Sequence, residues 1–99
     1  MRNYEIMFIV RPTLGEEDIK KVVKSFEDIL TSNGAKITAF KEMGQRELAY
    51  EIKKFNTGYY YLFVVEAPIE AEQEFNRVAR INESLLRHLI VRVDEKEEV

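Results

Sequence analysis

Two unlike faces alternate along the first ten positions, which is the pattern of a β-strand. We predict a first strand over residues 3–10, ended by Arg11-Pro12. Its second face is partly apolar as well, so both faces are expected to need cover. One face carries Tyr4, Ile6, Phe8 and Val10, and the other carries Asn3, Glu5, Met7 and Ile9.

Helical spacing follows. Between Ile19 and Leu30 an apolar residue recurs every three or four positions, acidic residues precede this stretch, and Asn33-Gly34 follows it. Acids favour a helix N-terminus and glycine favours a left-handed C-terminal stop, so we predict a first helix that ends at Asn33-Gly34. The same spacing predicts a second, shorter helix through Ala71, Phe75, Val78 and Ala79.

Three further strands are predicted. In the second, the parity of the apolar residues changes between Ile37 and Leu48, which calls for a bulge near Met43-Gly44. The third is the aromatic and β-branched run 59–65, closed by Pro68. The remaining predictions are a polar connection over 53–58 and a last strand over 86–93.

The order strand, helix, strand, strand, helix, strand predicts an α+β, ferredoxin-like βαββαβ fold, with a four-stranded antiparallel sheet and both helices on one face. We predict one domain over residues 1–93 and an acidic C-terminal tail over 94–99. Outward positions then form an apolar patch that suits a partner. On the first strand these are Met7 and Ile9. On the third strand, if the charged Glu66 points outward, alternation makes Tyr60, Leu62 and Val64 point outward too. The alternative is the opposite parity, with these residues in the core.

Composition removes several classes of function. The chain has no cysteine and one histidine, so disulfide scaffolds and thiolate sites are excluded and zinc sites are disfavoured. We expect no metal and no cofactor. Apolar runs are far shorter than a membrane span, so we expect a cytoplasmic protein without membrane contact.

The tail holds four acids and one base, which leaves residues 1–93 formally neutral. It is either a solubilising end or a segment that lies along a basic partner.

Catalysis is not expected. An acylphosphatase-like anion loop would follow the first strand, but Arg11-Pro12-Thr13-Leu14-Gly15 has one glycine and a proline without an N–H, so it makes a poor phosphate nest. We therefore expect no small-molecule substrate. Residues 57–64 match the third-strand motif of an RNA recognition motif only weakly. The alternation fixed by an outward Glu66 also turns Tyr59 and Tyr61 toward the helices, where they cannot stack on bases.

Four segments in order carry a resemblance that extends from Arg2 to Val93. They are Arg2-Asn3-Tyr4-Glu5, the segment Gly44 to Ile52 (GQRELAYEI), Gly58-Tyr59-Tyr60, and the segment Asn82 to His88 (NESLLRH). With them the chain resembles the family of the sixth protein of the bacterial small ribosomal subunit. The resemblance implies a ferredoxin-like, non-catalytic component of the ribosome. It also implies a heterodimer with small-subunit protein eighteen that docks on the central domain of small-subunit (16S-type) ribosomal RNA.

A formally neutral body binds phosphates weakly, so we expect a basic partner to share the RNA surface. On this view, Arg2, Arg46, Arg87 and Arg92 are the expected phosphate contacts, and Tyr4, Lys54, Arg80 and His88 are further candidates. For each, the alternative is a solvated surface group. The expected partner contacts are Met7, Ile9, Tyr60 and Leu62. A different class of function stays open: a regulatory or ligand-binding ferredoxin-like module that forms a homodimer through the same face.

Overall fold

A computed structural model describes residues 2–93, and the predicted acidic tail at 94–99 lies outside this range. The predicted fold is confirmed, since these residues form an antiparallel sheet and two helices in βαββαβ order. The elements are β1 (Arg2–Val10), α1 (Glu16–Ser32), β2 (Lys36–Ile52), β3 (Phe55–Ala67), α2 (Ile69–Ile81) and β4 (Leu85–Val93). No helix within the described residues is long and apolar enough to cross a membrane.

The sheet has the strand order β2-β3-β1-β4, with every neighbouring pair antiparallel. The first strand is therefore central. Ile6 on β1 lies between Phe63 on β3 and Ile90 on β4. Because laterally paired residues point to the same side of a sheet, this register assigns a face to most residues of the three strands.

The core lies between the two helices and one face of the sheet. Phe8 is fully buried at its centre, and its ring centroid lies 5.5 Å from that of Phe26 on α1 and 6.4 Å from that of Phe75 on α2. Phe26 and Phe75 also contact each other, at 5.0 Å. Burying one such side chain stabilises a fold by about 1.5–3 kcal/mol. This aromatic cluster holds both helices on the same side of the sheet.

The ends of α1 follow the predicted signals. Its first turn carries the three acids 16–18, which favour the positive end of the helix dipole. Gly34 has φ 93°, and the N–H of Ala35 bonds back to the carbonyl of Leu30 at 2.9 Å. The left-handed stop at Asn33-Gly34 is thus confirmed. The chain then enters β2 directly.

The bulge predicted in β2 is confirmed, because the β2–β3 register shifts between Glu42 and Gly44, and Gly44 has φ 85°. The predicted polar connection over 53–58 is wrong, since β3 already begins at Phe55. Lys53 and Lys54, at φ 52° and 71°, reverse the chain as a two-residue turn between the paired Ile52 and Phe55. Two positive φ values are typical of the primed turns that close hairpins.

Candidate macromolecule-binding surface

The sheet face opposite α1 and α2, called the open face below, carries the apolar residues predicted to point outward. Met7 pairs with Leu62 on one side and Leu89 on the other, and Ile9 pairs with Tyr60 and Arg87. None of these residues belongs to the core cluster, which holds Tyr4, Ile6, Phe8 and Val10 of β1. The predicted outward orientation is therefore correct, and the alternative parity is wrong.

Exposure differs among these residues. Met7, Tyr60 and Leu62 are half-buried, whereas Ile9 is only 5 % exposed. Gly58 lies so close that an added Cβ would meet the Ile9 side chain, and Leu86 beside it is also buried. Ile9 therefore forms the floor of the surface, while its neighbours form the part that another molecule can contact.

Two residues of this face were missed by sequence reasoning. Leu89 and Val91 on β4 are 46 % and 44 % exposed. Leu89 pairs with Met7, and Val91 pairs with Glu5, so both belong to the open face. The signal was present in the sequence: Arg87, Leu89 and Val91 alternate with inward residues of the last strand.

A groove of about 240 Å³ runs over the middle of the open face. Its lining is mostly apolar, with one guanidinium at the rim. Exposed apolar grooves with a polar rim are typical of protein–protein contact surfaces. The lining residues are Met7, Ile9, Tyr60, Arg87, His88 and Leu89.

The far end of the β2–β3 hairpin reaches β4, although β2 and β4 are at opposite edges of the sheet. Arg87 Nη1 donates a hydrogen bond to the Tyr50 hydroxyl, and Lys53 Nζ donates one to the carbonyl of Leu85 at 3.2 Å. Sequence reasoning missed Tyr50 and Lys53, because only the twist of the long hairpin brings them to β4. No local pattern in the sequence predicts that contact.

A second groove, of about 330 Å³, lies where α2 ends and β4 begins. We call it the junction groove; its polar lining consists of Lys53, Arg80, Asn82, Arg87 and His88. His88 Nε2 lies 2.8 Å from Asn76 Oδ1 on α2. Burial, and secondly the nearby positive charge of Arg80, lower the pKa of His88 below its usual value. The ring is therefore neutral near pH 7.

The predicted RNA contacts divide between two ends of the sheet. Arg46, paired with Gly58, and Arg87, paired with Ile9, lie toward the end that also holds the hairpin turn with Lys54 and the C-terminus of α2 with Arg80. Arg2 and Arg92 lie at the opposite end. Arg92 pairs with Tyr4, five residues along β1 from Ile9, which is a separation of roughly 17 Å. The predicted RNA contacts therefore form two separate clusters, one at each end of the sheet.

One predicted RNA contact needs correction. The Tyr4 side chain is 4 % exposed and belongs to the core cluster, because Tyr4 shares the parity of Ile6 and Phe8 on the helix side of β1. It packs inside the protein and offers no surface to RNA in this structure. His88, also on the helix side, is only partly accessible.

Within residues 2–93, no group of three or more His, Cys, Asp or Glu side chains is placed to hold a metal ion.

The element order, the antiparallel sheet and the uncovered apolar face define a ferredoxin-like domain with an open sheet surface. Residues 3–92 match the family model of ribosomal protein S6. The chain belongs to the ribosomal protein S6 family and is thus a protein of the small ribosomal subunit. It is similar to the crystal structure of 30S ribosomal protein S6 from Thermotoga maritima, with 33 % identity and a TM-score of 0.89 over 93 % of this chain and 87 % of that one.

Proposed function

We propose that this protein binds the central domain of small-subunit ribosomal RNA as a heterodimer with small-subunit protein eighteen, and that its role is structural, without catalysis. The observation that carries the proposal is the apolar groove of the open face, with cationic residues at the same end of the sheet. Membership of a small-subunit ribosomal protein family supports a ribonucleoprotein setting for this surface.

The open face supports a protein partner because its apolar side chains lack cover within residues 2–93. Leu89 and Val91 are nearly half exposed, and they lie beside Met7 and Leu62 in one continuous area. Covering apolar surface gains about 25 cal/mol for each Å² removed from water. A partner segment laid along this face would gain that free energy, and Met7 and Tyr60 are residue types enriched at interface cores.

The charge balance supports a shared RNA surface. The full chain has a net charge of −3, and residues 1–93 are formally neutral. Because RNA affinity depends on cations that displace counterions from phosphates, such a chain alone should bind RNA weakly. A heterodimer with a basic partner removes this difficulty, since Arg46, Arg87 and their neighbours then position the complex while the partner supplies most of the charge.

The partner surface is tested by isothermal titration calorimetry between the full chain and protein eighteen. Leu62→Glu places a carboxylate in the middle of the open face, so we expect at least tenfold weaker association, which corresponds to about 1.4 kcal/mol. Ile81→Glu is the matched control, because Ile81 is 71 % exposed on α2, away from the open face. Ile9→Glu is unsuitable, since a buried charge at that position would destabilise the fold itself.

Equal affinity of the Leu62→Glu and Ile81→Glu chains would contradict the partner surface. A free chain that sediments as a stable homodimer, and loses that dimer with Leu62→Glu, would favour the regulatory homodimer instead. Cosedimentation of the wild-type chain with small ribosomal subunits separates the two functions.

RNA binding is tested with the heterodimer and a ribosomal RNA fragment that contains the central domain. Arg87→Ala should weaken binding, and the difference from wild type should shrink as the salt concentration rises, because a phosphate contact is screened by salt. A loss of affinity that is the same at low and high salt would argue against a phosphate contact.

A further inference from the structure

We propose that the junction groove is a phosphate-binding subsite, assembled from the end of the β2–β3 hairpin and the α2–β4 connection, that receives one backbone phosphate of the bound RNA. The inference rests on the proposed function for the identity of the ligand. It adds a defined place for a phosphate, and it assigns roles to three residues outside the expected RNA set, namely Lys53, Asn82 and Tyr50.

The groove is built by two parts of the chain that are distant in sequence. The hairpin contributes Lys53, whose ammonium is fixed by a hydrogen bond to the carbonyl of Leu85. The last turn of α2 contributes Arg80, the α2–β4 connection contributes Asn82, and the start of strand β4 contributes Arg87. Three basic side chains therefore line one concave site. The ammonium keeps two further donors after its bond to Leu85, because a lysine carries three.

The charge of the groove has one sign. None of the described residues that line it is acidic. The groove between α1 and β2 differs, since Glu16 and Glu42 line it beside Lys20. The lowered pKa of His88, caused first by burial and then by Arg80, is consistent with positive potential at this position. A compact anion is the ligand that such a site would stabilise.

Asn82 adds an oriented neutral donor. Its Oδ1 accepts a hydrogen bond from the backbone N–H of Ser84 at 2.8 Å. The side-chain carbonyl is thereby turned toward its own backbone, so that the Nδ2 amide is left to donate elsewhere. Phosphate oxygens accept hydrogen bonds from both charged and neutral donors. The groove thus offers the mixture of donors that a phosphate group uses.

Tyr50 acts as a positioning residue for Arg87. Arg87 is a flexible side chain on the open face, and its Nη1 donates to the Tyr50 hydroxyl. Fixing one end of a guanidinium lowers the entropy lost when the other nitrogens bind a phosphate. Because Tyr50 is 60 % exposed, it is not part of the core, and the removal of its hydroxyl should not disturb the fold.

The first test measures binding of the heterodimer to the central-domain RNA fragment at several salt concentrations. Lys53→Gln should reduce the slope of log affinity against log salt by about 1, and its affinity deficit should shrink about fourfold between 50 and 200 mM salt. Lys21→Gln is the matched control, because Lys21 is exposed on α1 and the charge change is the same. Equal slopes for the two variants would overturn the proposal.

Tyr50→Phe provides a second measurement in the same assay. It should weaken RNA binding severalfold without changing the salt slope, since it removes no charge. In the Arg87→Ala background, Tyr50→Phe should have no further effect. An equal effect in both backgrounds would show that Tyr50 does not act through Arg87.

Inorganic phosphate, titrated into the full chain alone and followed by NMR, separates the groove from the wider function. The His88 ring and the Asn82 side-chain amide should shift in the wild type and much less in Lys53→Gln. Equal shifts in both chains would overturn the subsite. If phosphate binds but Lys53→Gln leaves RNA affinity unchanged, the groove takes free phosphate and its assignment to RNA is wrong. A wild-type heterodimer that fails to bind the RNA fragment contradicts the proposed function, whatever the phosphate titration shows.

Discussion

Gly58 on β3 lies directly against Ile9 on β1, so that a Cβ at position 58 would overlap Cγ2 of Ile9. The same Cβ would lie 3.3 Å from the backbone oxygen of Val10 and 3.4 Å from Cδ1 of Leu86. The requirement is steric, because Gly58 is not among the residues with positive φ. Glycine at this position lets Ile9 close the floor of the open face.

Gly58→Ala should therefore destabilise the protein by about 1–3 kcal/mol, which is typical of overpacking in a tight site. Ile9→Ala removes the group that the new Cβ would meet. In a double-mutant cycle measured by denaturant unfolding, Gly58→Ala should thus cost clearly less in the Ile9→Ala background. Additive costs would show that the contact between Gly58 and Ile9 is not the cause.

Phe8 should be among the most sensitive core positions, because its ring contacts aromatic residues from both helices and from β3. We expect Phe8→Ala to lower the free energy of unfolding by about 3–5 kcal/mol. Ile81→Ala, at a position that is 71 % exposed, should change it by less than about 0.5 kcal/mol. Urea unfolding of the two variants measures both values, and similar losses would contradict the packing described above.

The single histidine predicts a pH dependence of stability. Burial, and then the charge of Arg80, hold the pKa of His88 below its unfolded value of 6.5. The folded state therefore favours the neutral ring, so its stabilising contribution is complete above pH 6.5 and is lost as the pH falls through the lower, folded-state pKa. In His88→Gln, this loss should be absent. Unfolding curves between pH 7.5 and 5 measure the difference. Because the chain has one histidine, NMR spectra follow the titration of the His88 ring directly. A titration midpoint of the ring above pH 6.5 would refute the assigned sign.

The hairpin turn predicts a stabilising substitution. Lys54 has φ 71°, a left-handed conformation that costs a residue with a Cβ about 1 kcal/mol relative to glycine. Lys54→Gly relieves that strain but costs about 0.4–1 kcal/mol through the larger entropy of the unfolded chain, so it should raise the free energy of unfolding by up to about 0.6 kcal/mol. Lys36→Gly, on the edge strand β2, should lower it instead, because extended backbone gains nothing from glycine. Thermal unfolding compares the two, and a loss of stability in Lys54→Gly would contradict the turn geometry.

Much of the fold could be predicted because it depends on short-range patterns. The spacing from Ile19 to Leu30 gave α1, and the change of parity around Gly44 gave the bulge. The outward direction of Met7 and Leu62 followed from the same alternation. The turn at Lys53-Lys54 could not be predicted in this way. It lacks the Asn-Gly signal, and its positive φ values are imposed by the pairing of the flanking strands.

The candidate site was less predictable, because exposure and assembly are long-range properties. Tyr4 was expected at the RNA surface, but its parity places it in the core. Ile9 has the predicted orientation, yet Gly58 and Leu86 leave it little exposure. Tyr50 and Lys53 join the surface only because a strand of seventeen residues twists across to β4. A single sequence has no local signal for such a contact.

Arg87 lines both the apolar groove of the open face and the junction groove. A macromolecule seated in either groove would restrict the rotamers that this side chain can adopt for the other. Two ligands that draw on the same ordered side chain are thermodynamically linked, and the linkage is reciprocal. Occupancy of the two grooves would therefore be coupled through this one shared residue, and a change at either groove would be felt at the other.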